Sequence, residues 1–251
     1  MNQLFGLHGR TVIVTGASSG LGERFARVLA AEGAQVVAAA RRGDRLQALA
    51  DEVPGVTACR CDVSIDADLE RLVAFTVERH GRVDVLINNA GVGTPHAAES
   101  EPPEHFRHVV DVNLNALFVA SQIAGRVMLE QGSGSIVNIA SMFGLVGSAP
   151  IRQASYCASK GAVVNLTREL GAQWMRRGVR VNAIAPGFFL SEMTTELWED
   201  ERSMAFLRRM TPAGRPGEPH ELDGALLFLA GDASTYVTGQ TIAVDGGWTA
   251  R

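Results

Sequence analysis

Residues 11–23 read TVIVTGASSGLGE. A run rich in β-branched residues passes without a break into a turn marked by Gly16, Gly20 and Gly22. Apolar character at consecutive positions is the pattern of a strand buried on both faces. Glycines let the chain turn tightly and bring backbone N–H groups close to a phosphate, where the start of the following helix adds positive potential. At the first strand–helix junction of a chain, this pattern predicts a dinucleotide site. Gly16, Ser18, Ser19, Gly20, Leu21 and Gly22 are its candidate contacts.

The rhythm continues outward. QVVAAA (35–40), VTACRC (56–61), DVLIN (84–88), SIVNIA (135–140), VRVNAIA (179–185) and TIAVD (241–245) have strand character. Helical periodicity marks 21–32, 44–52, 66–80, 104–130, 156–177 and 219–230. This alternation predicts an α/β fold, a Rossmann-type doubly wound parallel sheet covered by helices on both sides. No linker or repeat interrupts it, so residues 1–251 read as one dinucleotide-binding and catalytic domain. Residues 188–217 break the rhythm with aromatic residues set among charges, and read as a substrate lid. A packed helical hairpin is the plainer alternative.

Composition narrows the function. The chain has 251 residues, 46% hydrophobic and 20% charged, with a net charge of −4. It shows no basic stripe for nucleic acid and no Lys/Arg tract for an anionic membrane. Three cysteines, Cys59, Cys61 and Cys157, are too few for a disulfide framework, and read as reduced residues of a cytoplasmic protein. MNQLFGLHGR (1–10) lacks the apolar core of a signal peptide, and no uncharged apolar run reaches the ~18 residues of a membrane span.

A dinucleotide site usually places an acid about 20 residues beyond the glycines to hold the adenosine ribose. Here the second strand ends in Ala39-Ala40-Arg41-Arg42, and Asp44 reads as a helix N-cap. A small residue followed by Arg41 suits a 2′-phosphate, which a carboxylate would repel. NADP(H) is therefore favoured, with NAD(H) as the alternative.

Further on, SYCASK (155–160) places Tyr156 one helical turn before Lys160, on one face. Alone, such a pair is an ordinary surface feature. Here TGASSGLG, CDV (61–63), NNAG (88–91), VNL (112–114), Ser141, YCASK (156–160) and PG (186–187) stand in one order along nearly the whole chain. In this the chain resembles the short-chain dehydrogenase/reductase family. The resemblance implies a nicotinamide cofactor, a small-molecule substrate and a homotetramer. It implies Tyr156 as acid/base and Lys160 as the group that holds the nicotinamide ribose and lowers the tyrosine pKa. Ser141 would orient the substrate oxygen, and Asn113 would support a water-linked proton path to the lysine. Asp62 and Val63 would border the adenine. Asn88, Ala90 and Gly91 would lie beside the ribose, and Pro186, Gly187, Phe189 and Ser191 near the carboxamide.

The physical reason for the pair is electrostatic. A free tyrosine has pKa ~10, too high for an efficient base. A positive charge ~4 Å away contributes ~4 kcal/mol at an effective dielectric of ~20, enough for a drop of up to about three units before desolvation opposes it.

One departure from the family stands out. Ser141 and Tyr156 are 15 positions apart where about 13 is common, so MFGLVGSAPIRQAS (142–155) forms a longer substrate wall. His105 and His108 read as a solvated helix face rather than a metal pair, and His96 as a loop residue. TIAVDGGW (241–248) resembles a segment the family buries between subunits, or closes the sheet as an edge strand.

The reading that follows is an NADPH-dependent reductase of a ketone or aldehyde, of 3-oxoacyl or small-carbonyl type. One alternative is an NAD-dependent dehydrogenase of a sugar, sugar acid or other secondary alcohol. The other is a catalytically silent dinucleotide-binding regulator. A dedicated acyl-carrier reductase is disfavoured, because EQGSGS (130–135) offers no basic approach to an acidic carrier.

Overall fold

The structure, a computed structural model, describes residues 4–189 and 200–250. Seven parallel strands form one sheet: β1 (Thr11–Thr15), β2 (Gln35–Ala40), β3 (Val56–Arg60), β4 (Val85–Asn88), β5 (Gly134–Ile139), β6 (Val179–Pro186) and β7 (Thr241–Val244). Their order is β3-β2-β1-β4-β5-β6-β7. The direction of winding reverses between β1 and β4, and a crevice opens beyond the strand ends at such a switch point.

Among the described residues the α-helices are α1 (Gly20–Ala31), α2 (Gly43–Glu52), α3 (Asp66–His80), α4 (Pro103–Val110), α5 (Ala116–Gln131), α6 (Ala154–Trp174), α7 (Glu201–Met210) and α8 (Asp223–Ala230). They cover both sheet faces because strand side chains alternate. Val12 and Val14 of β1 pack with Phe25 and Leu29 of α1 and Leu226 and Leu229 of α8. Ile13 points the other way, to Leu69 and Leu72 of α3 and Ala124 and Met128 of α5. Each such side chain contributes about 1.5–3 kcal/mol when fully buried, so a strand apolar at every position holds two layers at once.

The helix expected over 104–130 is present with an interruption. A π turn, Asp111–Asn115, joins α4 to α5, and the whole stretch Pro103–Gln131 is long and apolar enough to cross a membrane by length and composition. Its apolar side is instead a core face, with Ala120, Ala124 and Met128 packed on the sheet.

One local expectation changes. Asp44 is not the N-cap of α2; Arg42 occupies that position, and Asp44 lies in the first turn, where an acid still suits the helix dipole. Trp248 is only 8% exposed within its own chain, packed edge-on against Phe143, Phe188 and Phe206. β7 is one edge strand of the sheet, and β3 the other.

Candidate active site

The strand ends deliver the cleft. Beyond β1 come Gly16, Ser18, Ser19, Gly20, Leu21 and Gly22; beyond β2, Arg41 and Arg42; beyond β3, Asp62 and Val63. The segments after β4, β5 and β6 supply Ala90 and Gly91, Ser141, and Gly187 and Phe189, with Pro186 closing β6. These residues, with Tyr156 and Lys160, line a cavity of about 640 Å³. Ser191 lies outside the described residues, as do residues 190–199 of the expected lid, whereas the remainder of its 188–217 span is described.

The glycine turn has no room for side chains. A Cβ on Gly22 would lie 2.2 Å from the Gly16 carbonyl oxygen. Gly16 has φ +67°, and a Cβ there would come within 2.9 Å of the Ala90 Cα. Backbone therefore faces the cleft at this end, as an extended diphosphate requires. The turn is stitched to the end of β4 by two residues that the sequence reading missed. Thr15 Oγ1 accepts from Asn89 N (3.0 Å) and Ala90 N (3.1 Å). Asn89 Nδ2 donates to the carbonyls of Thr15 (3.0 Å) and Gly16 (3.3 Å). The doubled asparagine of NNAG was the available signal.

Asn88, expected beside the ribose, does not line this cavity. It is 3% exposed, and its amide donates to Ser121 Oγ and Asn138 Oδ1, both at 2.9 Å. As the last residue of β4 it turns its side chain into the helix layer, and Asn89 falls on the other side. Arg41 and Arg42 also exchange emphasis. Arg41 is exposed at the rim, whereas Arg42 crosses to the glycine turn and donates to Ser18 Oγ (3.1 Å) and Ser19 Oγ (2.6 Å). Asp62 accepts from the Ser64 hydroxyl (2.7 Å) and amide (3.0 Å). Ser64, followed by the nearby Arg41 and His108, holds the Asp62 carboxyl below its ordinary range against the opposing effect of burial.

At the other end, α6 presents Tyr156 and Lys160 on one face. The Lys160 ammonium lies 5.7 Å from the centre of the tyrosine ring and donates to the Ile139 carbonyl at 2.7 Å. It is 4% exposed, and burial pushes its pKa from 10.5 down to about 8. Tyr156 is packed deep in the wall while part of its surface opens on the cleft. Burial raises the tyrosine pKa, and a hydrogen bond with Ser141 opposes that rise. The expected lowering by Lys160 is therefore reversed in direction. Both groups are held out of water, and desolvation, which disfavours the charged form of each, sets both directions.

Ser141 caps the short turn Met142–Gly144, its hydroxyl accepting from Phe143 N at 3.1 Å. Asn113, in the π turn, is fully buried and does not line the cavity. Its amide donates to Val92 O (2.8 Å) and Ser159 Oγ (3.0 Å), and its oxygen accepts from Val92 N (2.8 Å). Ser159 Oγ in turn donates to Tyr156 O at 2.8 Å. Asn113 thus ties the segment after Gly91 to the helix that carries Tyr156. π turns recur at functional sites, and this one places a polar side chain where the α-helical ladder is interrupted.

The longer wall 142–155 is joined to the loop after NNAG. His96 N donates to Arg152 O at 2.7 Å, and His96 forms a parallel bridge with Gln153. The His96 and His105 rings stand 4.4 Å apart, and Glu101 pairs with His105 Nδ1 at 2.9 Å. Phe143, Phe188 and Trp248, with Met204 and Phe206 packed against them, form an apolar cluster that Tyr156 borders.

A family profile described as enoyl-(acyl carrier protein) reductase matches residues 16–249. The chain is 42% identical over 247 residues to galactitol 2-dehydrogenase (L-tagatose-forming) of Cereibacter sphaeroides, covering 98% of this chain and 97% of that protein. A short-chain type dehydrogenase/reductase from Mycobacterium marinum has a TM-score of 0.95 to it, with 37% identity over 99% of each chain. A gluconate 5-dehydrogenase from Burkholderia cenocepacia J2315, crystallised with NADP and tartrate, has a TM-score of 0.93 and 36% identity, covering 99% of this chain and 98% of that one. The chain belongs to the short-chain dehydrogenase/reductase family.

Proposed function

We propose that the protein interconverts a ketone and a secondary alcohol with NADP(H), on a polyhydroxylated substrate of the sugar-acid or polyol class. One observation carries the reading: a buried Ser141–Tyr156–Lys160 line at one end of a cleft whose other end carries Arg41 and Arg42. The substrate class rests on the relatives, a galactitol dehydrogenase and a gluconate dehydrogenase.

The glycine turn, Ser18, Ser19 and Arg42 would hold the phosphates, with Asp62 and Val63 at the adenine. Gly91, Lys160, Pro186 and Gly187 would hold the nicotinamide half. A nicotinamide dinucleotide bound there supplies the hydride. The hydroxyls of Ser141 and Tyr156 converge on one point and can hold a carbonyl oxygen. A phenol kept protonated by burial is ready to give its proton to the oxygen as an alcohol forms. Lys160, tied to the end of β5, fixes the helix register beside it.

We further propose a homotetramer in a reducing cytoplasm, with residues 188–217 as substrate lid. The free cysteines are consistent with that compartment. The β7 edge and the exposed Phe106 and Phe118 of the α4–α5 stretch are surfaces that could support assembly.

The test is a panel of sugar acids, polyols, 3-oxoacyl thioesters and simple ketones, assayed with both cofactors by absorbance of the reduced nicotinamide. Turnover of a sugar acid or polyol with NADP(H) is expected. Preference for NAD(H) would move the reading to the NAD-dependent dehydrogenase. Tight cofactor binding without any turnover would leave the silent regulator.

A further inference from the structure

Of the six histidines, His108 alone lines the cofactor cavity. It stands on the exposed side of α4, one turn before the π turn, across from the end of β3. Its imidazole and the Arg41 guanidinium both act electrostatically on the Asp62 carboxylate, so the three groups cluster at one end of the cleft. His108 takes no part in the hydride and proton chemistry proposed for Ser141, Tyr156 and Lys160.

We propose that His108 is a pH-dependent specificity residue that strengthens binding of the 2′-phosphorylated cofactor as it gains a proton. The proposal rests on the cofactor placement given above. Asp62 leaves a negative charge where an anionic ligand must come. Arg41 offsets that charge at every pH, whereas a histidine offsets it only when protonated, within the range of about pH 5 to 8. Along its own chain segment Glu104 and the π-turn Asp111 stand one turn away on either side, and Arg107 is its immediate neighbour in sequence. Arg42 is engaged with Ser18 and Ser19 and stands at the phosphate turn. With Arg41 already offsetting Asp62, protonating His108 turns this end of the cleft from near neutral to net positive. A 2′-phosphate gains most, because it brings the additional charge to this end.

The experiment is calorimetric titration of the full chain with NADP⁺ and NAD⁺ from pH 5.5 to 8.5 at low salt. Wild type is compared with His108→Ala and His108→Lys. The phosphate itself titrates near pH 6. The quantity read is therefore the ratio of variant to wild-type Kd at each pH, in which the ligand's own protonation cancels. For NADP⁺, the His108→Ala ratio should stay near 1 at pH 8.5 and rise about two- to fivefold at pH 6, the size of an exposed ionic contact. NAD⁺ should show a smaller rise. His108→Lys should bind NADP⁺ more tightly than wild type at pH 8.5 and lose that advantage at pH 6. A His108→Ala ratio that does not change with pH overturns the proposal while leaving the cofactor placement standing. Failure of both dinucleotides to bind overturns the proposal and the cofactor placement alike.

Discussion

The two halves of the cleft are built differently. The nucleotide half is made by backbone: glycine turns with no space for a Cβ, held by Thr15 and Asn89 through four hydrogen bonds. The substrate half is made by side chains: Tyr156, Lys160 and Ser141 at its floor, and an apolar cluster of Phe143, Phe188 and Trp248 beside them. A backbone site recognises what all its ligands share, a diphosphate and two riboses. A side-chain site can change its occupant by substitution without disturbing the turn. One chain can thus keep the cofactor chemistry of a family and hold a substrate of its own.

The sharpest way to separate the halves is Tyr156→Phe. The ring still packs against Gly93, where a Cβ would come within 2.7 Å of it, so the wall should survive. Only the proton donor is lost. Turnover should fall by about 10²–10⁴-fold with cofactor Kd within about twofold of wild type. Retained turnover would show that another group handles the proton. The converse change is Gly22→Ala, which forces a Cβ to 2.2 Å from the Gly16 oxygen. Cofactor affinity should fall at least about tenfold, while the packing beside Tyr156, read by near-ultraviolet dichroism of the aromatic cluster, stays as it was. Equal damage to both readouts would mean that the halves are one cooperative unit.

The same contrast governs what could be read from sequence. All seven strands were legible, the central ones most plainly, because a parallel strand buried on both faces must be largely apolar, as VIV in β1 and VLI in β4 are. The glycine turn was legible because only glycine satisfies its geometry. Side-chain direction at strand ends was not. One residue of register separates Asn88, turned into the core, from Asn89, which faces the turn, and NNAG contains both. Arg41 and Arg42 posed the same problem. The tyrosine pKa was misjudged in sign because sequence shows that a lysine is near but not how much water both groups lose. In the tail TIAVDGGW, Trp248 is buried by neighbours in its own chain, a contact that its sequence position alone does not disclose.

Lys160 tests how much the substrate half sacrifices for chemistry. Its folded pKa, about 8, lies below the ordinary 10.5, so folding favours the neutral amine. A group with a depressed folded pKa contributes stability above its unfolded pKa and loses that contribution as pH falls through the folded value. The chain therefore carries the full cost of burying the ammonium below about pH 8 and is relieved of it as pH rises toward 10.5. The relief is on the order of 3 kcal/mol. Lys160→Met should remove this pH dependence. Its Tm relative to wild type should be highest near pH 7 and decline by pH 9.5, although cofactor affinity drops. A constant difference in Tm would show that the lysine is not buried as a charge in the cofactor-free protein.

The smallest expected effect belongs to the arginines, and it bears on where the nucleotide half departs from being pure backbone. Arg42 donates to Ser18 and Ser19 and is held against the phosphate turn, so it meets a ligand already ordered. Arg41 is exposed and must surrender side-chain freedom to make the same contact. A charge-assisted hydrogen bond to phosphate contributes roughly 1.5–3 kcal/mol, and the ordering cost is subtracted only from Arg41. Arg42→Ala should therefore weaken NADP⁺ binding by about ten- to thirtyfold, and Arg41→Ala by about threefold. Affinity for NAD⁺ should fall less in Arg41→Ala than in Arg42→Ala, because Arg42 also props the turn that holds the diphosphate. Kd values for both dinucleotides at low salt give the comparison, since screening weakens exposed contacts first. If Arg41→Ala proves the more damaging, the exposed arginine reads the 2′-phosphate and Arg42 serves only to brace the turn.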